Sequence, residues 1–210
     1  MTARLPPGLP AALLPAILLL AACAAAPPVP EAPAVIPGLP SCTSRLGQSA
    51  VVFRPLESRR TPQGCSVEDS VSLIRATVDL SAPVVLACDF TLKWLDFETQ
   101  VLQPAARRHF GRGVKRVDHM GGYACRPVAG TARLSQHAHG MAFDIAGFVL
   151  EDGRRVGVKQ AWGGDTPAGR FLREIAAEGC RLFSLVLTPA SDAAHHDHLH
   201  FELGPWRRCG

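Results

Sequence analysis

Six cysteines between positions 42 and 209 constrain this chain more than any other feature. Their number is even, their spacing is wide, and no CxxC pair occurs among them. In an exported chain this pattern is typical of disulfide bonds rather than of a zinc–thiolate site. Many pairings are possible, and the sequential one is expected here: Cys42 with Cys65, Cys88 with Cys125, and Cys180 with Cys209.

The N-terminal segment predicts that the chain is exported. Arg4 precedes an apolar run over residues 11–20, which is short for a membrane span but typical of a signal peptide. The run ends in "LAAC", which resembles the bacterial lipoprotein signal, with Cys23 as the acylated first residue of the mature chain. An ordinary secretory signal, cut a few residues later, also fits. The lipoprotein interpretation places the domain in the cell envelope, in the periplasm and tethered to a membrane by the lipid on Cys23.

Three regions follow from this interpretation: a signal peptide (1–22), a linker (23–40) and one domain (41–210). The linker is rich in alanine and proline and nearly uncharged, which is typical of an extended spacer. Removing the signal takes away one arginine and no acid, so the formal charge falls from +4 to +3. That charge is too small to predict nucleic-acid binding, although it suits an anionic polymer such as cell wall. We expect a monomer.

Two stretches have the periodicity of amphipathic helices. Between residues 85 and 110 the apolar side chains recur every three or four positions; they are Leu86, Phe90, Trp94, Phe97, Val101 and Ala105. Pro104 is expected to kink or split this helix near its end. A second helix is predicted over residues 167–178, with Thr166 as its N-cap and Gly179 after its last turn.

The remaining regular segments are rich in strand-forming residues. They cover residues 141–150, 154–160, 181–188 and 198–203, and the first two flank an Asp-Gly pair that predicts a hairpin. Residues 70–80 fit a helix or a strand. Since helices and strands do not alternate regularly, we predict an α+β fold with a central antiparallel sheet flanked by helices.

The stretch "HHDHLHFELG", residues 195–204, holds four of the eight histidines. In a strand, His198 and His200 would share one face, while the apolar residues between and after them face the core. Upstream, His137 precedes Asp144 by seven positions. An aspartate inside an apolar strand needs a compensating charge, which a cation could supply. Two imidazoles and a carboxylate from separate segments would leave an open position, as in catalytic zinc sites.

These residues carry a family resemblance. The pattern Ser135-x-His137-x-x-Gly140-x-Ala142-x-Asp144, followed by Asp197-His198-x-His200, is similar to the signature of the LAS zinc peptidases (lysostaphin, D-Ala-D-Ala metallopeptidases, hedgehog). More closely, "YACRPVAGTARLSQHAHGMAFDIAGF", "HHDHLHFELG" and the cysteine pattern resemble the bacterial extensin-like C-terminal domain family over most of residues 41–210. The repeats of plant structural extensins are absent.

The resemblance implies an LAS-like, disulfide-bonded α+β domain with Zn²⁺ held by His137, Asp144 and His200. It implies that Asp197 is the general base and that His198 stabilises the oxyanion of amide hydrolysis. Arg126 falls where these enzymes bind substrate charge. The implied activity is cleavage of a peptidoglycan stem peptide at a D-amino acid, by a carboxypeptidase or an endopeptidase.

Several alternatives stay open. His139 could replace His137 as ligand, Asp197 could merely start the strand, and Arg126 could form a plain salt bridge. His195 and His196 are expected to be exposed loop residues, and Trp94 and Trp162 to belong to the core or its wall. The whole domain could be a non-catalytic, zinc-stabilised binding module or a metal-binding lipoprotein.

Overall fold

The computed structural model describes Thr2 and residues 41–210. Helices there are α1 (Cys42–Leu46), α2 (Cys88–Phe97), α3 (Gln103–Phe110), α4 (Val158–Ala161) and α5 (Pro167–Gly179). Strands are β1 (Val52–Pro55), β2 (Arg59–Arg60), β3 (Ser66–Val67), β4 (Ser70–Arg75), β5 (Asp79–Ala87), β6 (Val114–Gly121), β7 (Ala142–Leu150), β8 (Arg155–Gly157), β9 (Leu185–Leu187), β10 (Leu199–Glu202) and β11 (Arg208–Cys209). The fold is α+β, as predicted.

One large sheet organises the domain. Its strand order is β1-β4-β5-β6-β7-β10-β9-β11, and β8 also pairs with β7. Most pairs are antiparallel, while β5 with β6 and β9 with β11 are parallel. A separate two-stranded sheet joins β2 and β3. The expected central antiparallel sheet is therefore confirmed in its larger part.

The hydrophobic core lies between α2 and one face of the sheet. Trp94 of α2 makes edge contacts with Phe143 of β7 at 4.9 Å and with Phe201 of β10 at 5.8 Å between ring centroids. Phe97 contacts Phe201 at 4.9 Å. All four side chains are fully buried. Phe143 immediately precedes Asp144, and Phe201 immediately follows His200. The core therefore fixes the backbone that carries these two proposed ligands.

The helix predicted over residues 85–110 starts later than expected. Residues 85–87 belong to β5, where Val85 and Leu86 pair with β4, and α2 begins at Cys88. A π-helical turn, Glu98–Leu102, then separates α2 from α3. Pro104 lies in the first turn of α3, where its missing N–H costs little. The predicted break near Pro104 is thus present.

The other local predictions hold in part. The strand predicted over residues 154–160 ends at Gly157, where α4 begins, and the strand predicted over residues 181–188 is limited to β9. Gly179 is the last residue of α5 rather than the residue after it. Helix α5 spans Pro167–Gly179, and the hydroxyl of Thr166 accepts from the Gly169 amide at 3.1 Å as its cap. The predicted hairpin joins β7 to β8, with Gly153 at φ 85° in its turn. The ambiguous stretch over residues 70–80 is β4 and the beginning of β5.

Three disulfides are present, but two predicted pairings are wrong. The bonds join Cys42 to Cys88, Cys65 to Cys125, and Cys180 to Cys209. The β4–β5 hairpin places Cys88 next to Asp69, whose carbonyl accepts a hydrogen bond from the Cys88 amide at 2.8 Å. At this position Cys88 contacts α1, which carries Cys42. Proximity in sequence therefore did not decide the pairing.

No helix in residues 41–210 is long and apolar enough to cross a membrane. The predicted signal peptide, the linker and Cys23 lie outside the described residues.

Candidate metal centre

Two histidines and an aspartate lie close together. Asp144 is on β7, His200 is on the paired strand β10, and His137 is on the short turn before β7. Asp144 Oδ2 lies 3.1 Å from His137 Nε2, and Asp144 Oδ1 lies 2.8 Å from His200 Nδ1. The two imidazole nitrogens are 3.2 Å apart. Ligands about 2 Å from one tetrahedral ion are separated by roughly 3.3 Å. The spacing and donor types therefore fit one metal ion, and these three residues could hold it.

His137 is oriented by its short 3₁₀ turn, Gln136–His139. The hydroxyl of Ser135 accepts from the His137 amide at 3.3 Å. The His137 ring places Nδ1 2.5 Å from the carbonyl of Gly122, so Nδ1 carries the proton and donates it there. Nε2 is then free to face Asp144. A backbone acceptor on the far nitrogen is the usual support of a metal-binding histidine.

Asp144 and His200 face each other across two paired strands. His200 of β10 is the direct antiparallel partner of Asp144 of β7. Their neighbours Phe143 and Phe201 point to the opposite, core side of the sheet, as strand alternation predicts. The register of one strand pair thus places both side chains at the same point.

The charges around His200 favour a cation at this position. Burial opposes protonation, yet hydrogen bonds to Asp144 and Glu202 raise the pKa of His200 to about 9. Burial likewise acts to raise the pKa of Asp144, but bonds from His137 and His200 hold it well below its usual value. The carboxylates of Asp144 and Glu202 therefore stabilise a positive charge between them, and a metal ion could supply that charge in place of the proton on His200.

His198 lies beside this group, and Asp197 lies on the other side of the His198 ring. His198 Nε2 is 3.6 Å from Asp144 Oδ1, and its Nδ1 is 3.0 Å from Asp197 Oδ1. His198 is buried, whereas the Asp197 side chain keeps 29% of its exposure. The hydrogen bond from His198 lowers the pKa of Asp197, and nearby His196 and Lys159 add to the effect. Asp197 is thus an ionised, accessible carboxylate at the edge of the centre.

His139 and Arg126 lie elsewhere. His139 Nδ1 is 2.9 Å from the Ser66 hydroxyl on β3, so its ring is not among the grouped donors. Arg126 is exposed at the base of a loop, and its carbonyl accepts from the Ser135 amide at 3.1 Å. Within residues 41–210 Arg126 forms no ion pair, so the salt-bridge alternative is not seen there.

Sequence reasoning missed Glu202. Its side chain is buried, and Oε2 lies 3.1 Å from His200 Nε2, the nitrogen that faces away from Asp144. Strand alternation puts residues 198, 200 and 202 on one face, so the sequence carried a signal that could have found it. Glu202 supports His200 as the Gly122 carbonyl supports His137.

His195 was expected to be an exposed loop residue, but it packs against the centre. Its ring lies 5.1 Å from the His198 ring and 5.6 Å from the His200 ring, between centroids. Asp192 Oδ1 holds His195 Nδ1 at 2.6 Å. Burial lowers the pKa of His195 despite this bond. His196 is exposed, as expected.

A cavity of about 390 Å³ is lined by residues of β6, β7 and β8 and begins at Ala146, two positions along β7 from Asp144. Ala146, Gly147 and Phe148 of β7 line it together with Asp118 and Arg155, which form an ion pair of 2.7 Å. The cavity therefore neighbours the candidate metal centre along β7 but is lined by none of its three residues.

Comparison with known proteins gives one match. No curated protein and no solved structure is similar to the chain at a significant level. The family model described as "Extensin-like protein C-terminus" matches residues 40–210. This range contains every residue of the metal centre, and the chain belongs to the extensin-like C-terminal family.

Proposed function

We propose that this domain is a zinc-dependent peptidoglycan hydrolase with an LAS-like fold, acting on a peptide bond that involves a D-amino acid. The observation that carries the proposal is the convergence of His137, Asp144 and His200 beside an ionised Asp197. Two imidazole nitrogens, one carboxylate and an open fourth position are typical of catalytic rather than structural zinc sites. A purely structural site would need no accessible carboxylate next to its ligands.

His137 Nε2, Asp144 and His200 Nδ1 would hold the ion. When bound there, zinc would lower the pKa of a water molecule and polarise the scissile carbonyl. The Gly122 carbonyl and Glu202 keep the two imidazoles in the tautomers that present these nitrogens. The aromatic contacts of Phe143 and Phe201 behind β7 and β10 keep the ligands from moving.

Asp197 would accept the proton of the attacking water and pass it to the leaving amine. Its lowered pKa keeps it ionised at neutral pH, so it is ready to accept. His198 bridges Asp197 and Asp144 by contacts of 3.0 and 3.6 Å. That position suits a donor to the oxygen that gains negative charge during attack.

Substrate would be stem peptide, lying along β7 between Arg126 and the cavity that begins at Ala146. Arg126 is exposed and has no acidic partner in the described domain, so its planar guanidinium is available to a substrate carboxylate. Whether the terminal or an internal bond is cut divides carboxypeptidase from endopeptidase activity, and product masses separate the two.

The three disulfides support a location in an oxidising compartment. We propose export to the periplasm and tethering by a lipid on Cys23. Growth with a radioactive fatty acid should label the wild type, and Cys23→Ser should remain unlabelled. Equal labelling of both would exclude Cys23 as the anchor.

The activity is tested by incubating the purified, zinc-loaded protein with muropeptides of defined stem length. Loss of the mass of one D-amino acid would indicate a carboxypeptidase, and separation of cross-linked dimers an endopeptidase. A chelator should abolish either product. Tight zinc binding without any cleavage would instead support the non-catalytic binding module.

A further inference from the structure

Trp206 is exposed in an unusual setting. It keeps 53% of its accessible surface, and the only other large hydrophobic side chains exposed in the described residues are Val52 and Met120. The guanidinium of Arg133 lies over the Trp206 ring, 5.2 Å from its centroid. One face of the indole is thus covered by a cation, and much of the remaining ring surface is open to solvent.

Arg133 belongs to the hairpin-like loop that leads into the metal centre. Pro127 bridges Leu134, and the Val128 amide donates to the Arg133 carbonyl at 2.8 Å. In such antiparallel pairing, residues opposite each other and two apart share a face. Arg126, Val128 and Arg133 therefore lie on one face of the loop. Leu134, on the other face, lies next to Gly64 of the β2–β3 turn.

The Trp206 segment lies against the beginning of the His137 turn. A Cβ placed on Gly204 would come within 3.1 Å of the Gln136 side chain, so the two segments are in close contact. Gln136 immediately precedes His137. Arg126, Arg133 and Trp206, called the rim surface below, therefore belong to two segments that contact each other next to His137.

The rim surface is strongly positive. Residues 125–134 contain two arginines and no acid, and residues 203–210 contain two arginines and no acid. Among the described residues, Arg126, Arg133 and Arg207 have no ion-pair partner. Unpaired guanidinium groups beside an open aromatic ring suit a ligand that offers both a carboxylate and a flat, weakly polar face.

We propose that the rim surface binds an acidic glycan strand. A pyranose ring would stack its C–H face on the open side of Trp206, and Arg133 would pair with a carboxylate carried by the same or the next sugar, which leaves Arg126 to the peptide. This inference rests on the proposed function in one respect, since it takes the glycan to be the polymer that carries the peptide substrate. The rim would then hold the strand while its peptide reaches Asp197.

The test uses binding alone, so that it does not depend on cleavage. Purified protein is titrated with peptide-free glycan strands of alternating N-acetylglucosamine and N-acetylmuramic acid, with chitin oligosaccharides of the same length, and with vesicles of anionic phospholipid. The variants are Trp206→Ala, Trp206→Phe and Arg133→Ala. Arg154→Ala is the matched control, because Arg154 also stacks on an aromatic ring, Phe110, at 5.6 Å but on another part of the domain.

We expect the wild type to bind the acidic glycan more tightly than chitin. Trp206→Ala and Arg133→Ala should each weaken binding about tenfold or more, Trp206→Phe should keep most of it, and Arg154→Ala should not change it. Circular dichroism should confirm that all variants are folded. The proposal is overturned if Trp206→Ala binds as tightly as wild type, if chitin binds equally well, or if only the vesicles bind. Muropeptide cleavage, measured separately, decides the proposed function whatever the glycan result.

Discussion

Glu202 Oε2 lies 3.1 Å from His200 Nε2, while the other nitrogen of the same ring lies 2.8 Å from Asp144. His200 is therefore held between two carboxylates, one at each ring nitrogen. The inner carboxylate is a candidate ligand, and the outer one fixes the ring and increases its basicity.

Replacing Glu202 should weaken the metal centre without removing a ligand. Glu202→Ala should lower zinc affinity about 10- to 100-fold, the usual cost of losing such a support. Glu202→Gln should lower it less, because its amide oxygen still accepts a hydrogen bond. Competition with a fluorescent zinc chelator measures both, and Glu178→Ala, which removes a partly exposed acid on α5, is the control. Equal affinity of Glu202→Ala and wild type would remove Glu202 from the centre.

Zinc should bind in a ratio of about one per chain and should require His137. His137→Ala should lose the metal, because Nε2 of that ring is one of three grouped donors. His139→Ala is a matched control, since it removes the same side chain two positions away, where the ring contacts Ser66. Elemental analysis after dialysis checks both variants. Metal retained by His137→Ala and lost by His139→Ala would reverse the assignment.

Glu98 should make the stability of the fold depend on pH. It is fully buried in the π-helical turn, and burial raises its pKa from 4.5 to about 7 although Thr77 and Trp94 donate hydrogen bonds to it. Between these pH values the folded state keeps the proton that the unfolded chain has released. The free energy of unfolding should therefore fall as pH rises from about 4.5 to 7, by up to about 3 kcal/mol from this group.

Glu98→Gln removes this titration and keeps the shape of the side chain. The difference in unfolding free energy between wild type and variant should shift in favour of the variant as pH rises from about 4.5 to 7. Urea denaturation at several pH values measures that difference. A difference that stays constant across the range would show that Glu98 does not titrate there.

Local patterns predicted much of the fold, and pairing across the chain explains most of what they missed. Strand alternation placed Asp144 and His200 on the non-core face, and capping residues placed α5. The start of α2 was misplaced because Val85 and Leu86 are apolar, and a short buried strand cannot be told from a helix by periodicity. The Cys42–Cys88 bond depends on the β4–β5 hairpin, which no single segment reveals.

The grouping of His137, Asp144 and His200 was predictable from the sequence, and the residues that orient them were less so. Glu202 was recoverable from its spacing to His200. The position of His195 depends on the bend before β10 and on its bond to Asp192, and neither has a strong signal in the sequence. The role proposed for Trp206 could not be predicted, because it depends on a contact with Arg133, which is distant in the sequence.

The most direct measurement compares Asp197→Asn with His200→Ala for muropeptide turnover, zinc content and melting temperature. Asp197→Asn should keep zinc and melting temperature, because the amide fills nearly the same volume and can still accept from His198. It should lower turnover roughly 10²- to 10⁴-fold, the contribution of a positioned acid–base group. His200→Ala should lose zinc and turnover together and melt at a lower temperature. Asp197→Asn that cleaves muropeptides as fast as wild type would contradict the account.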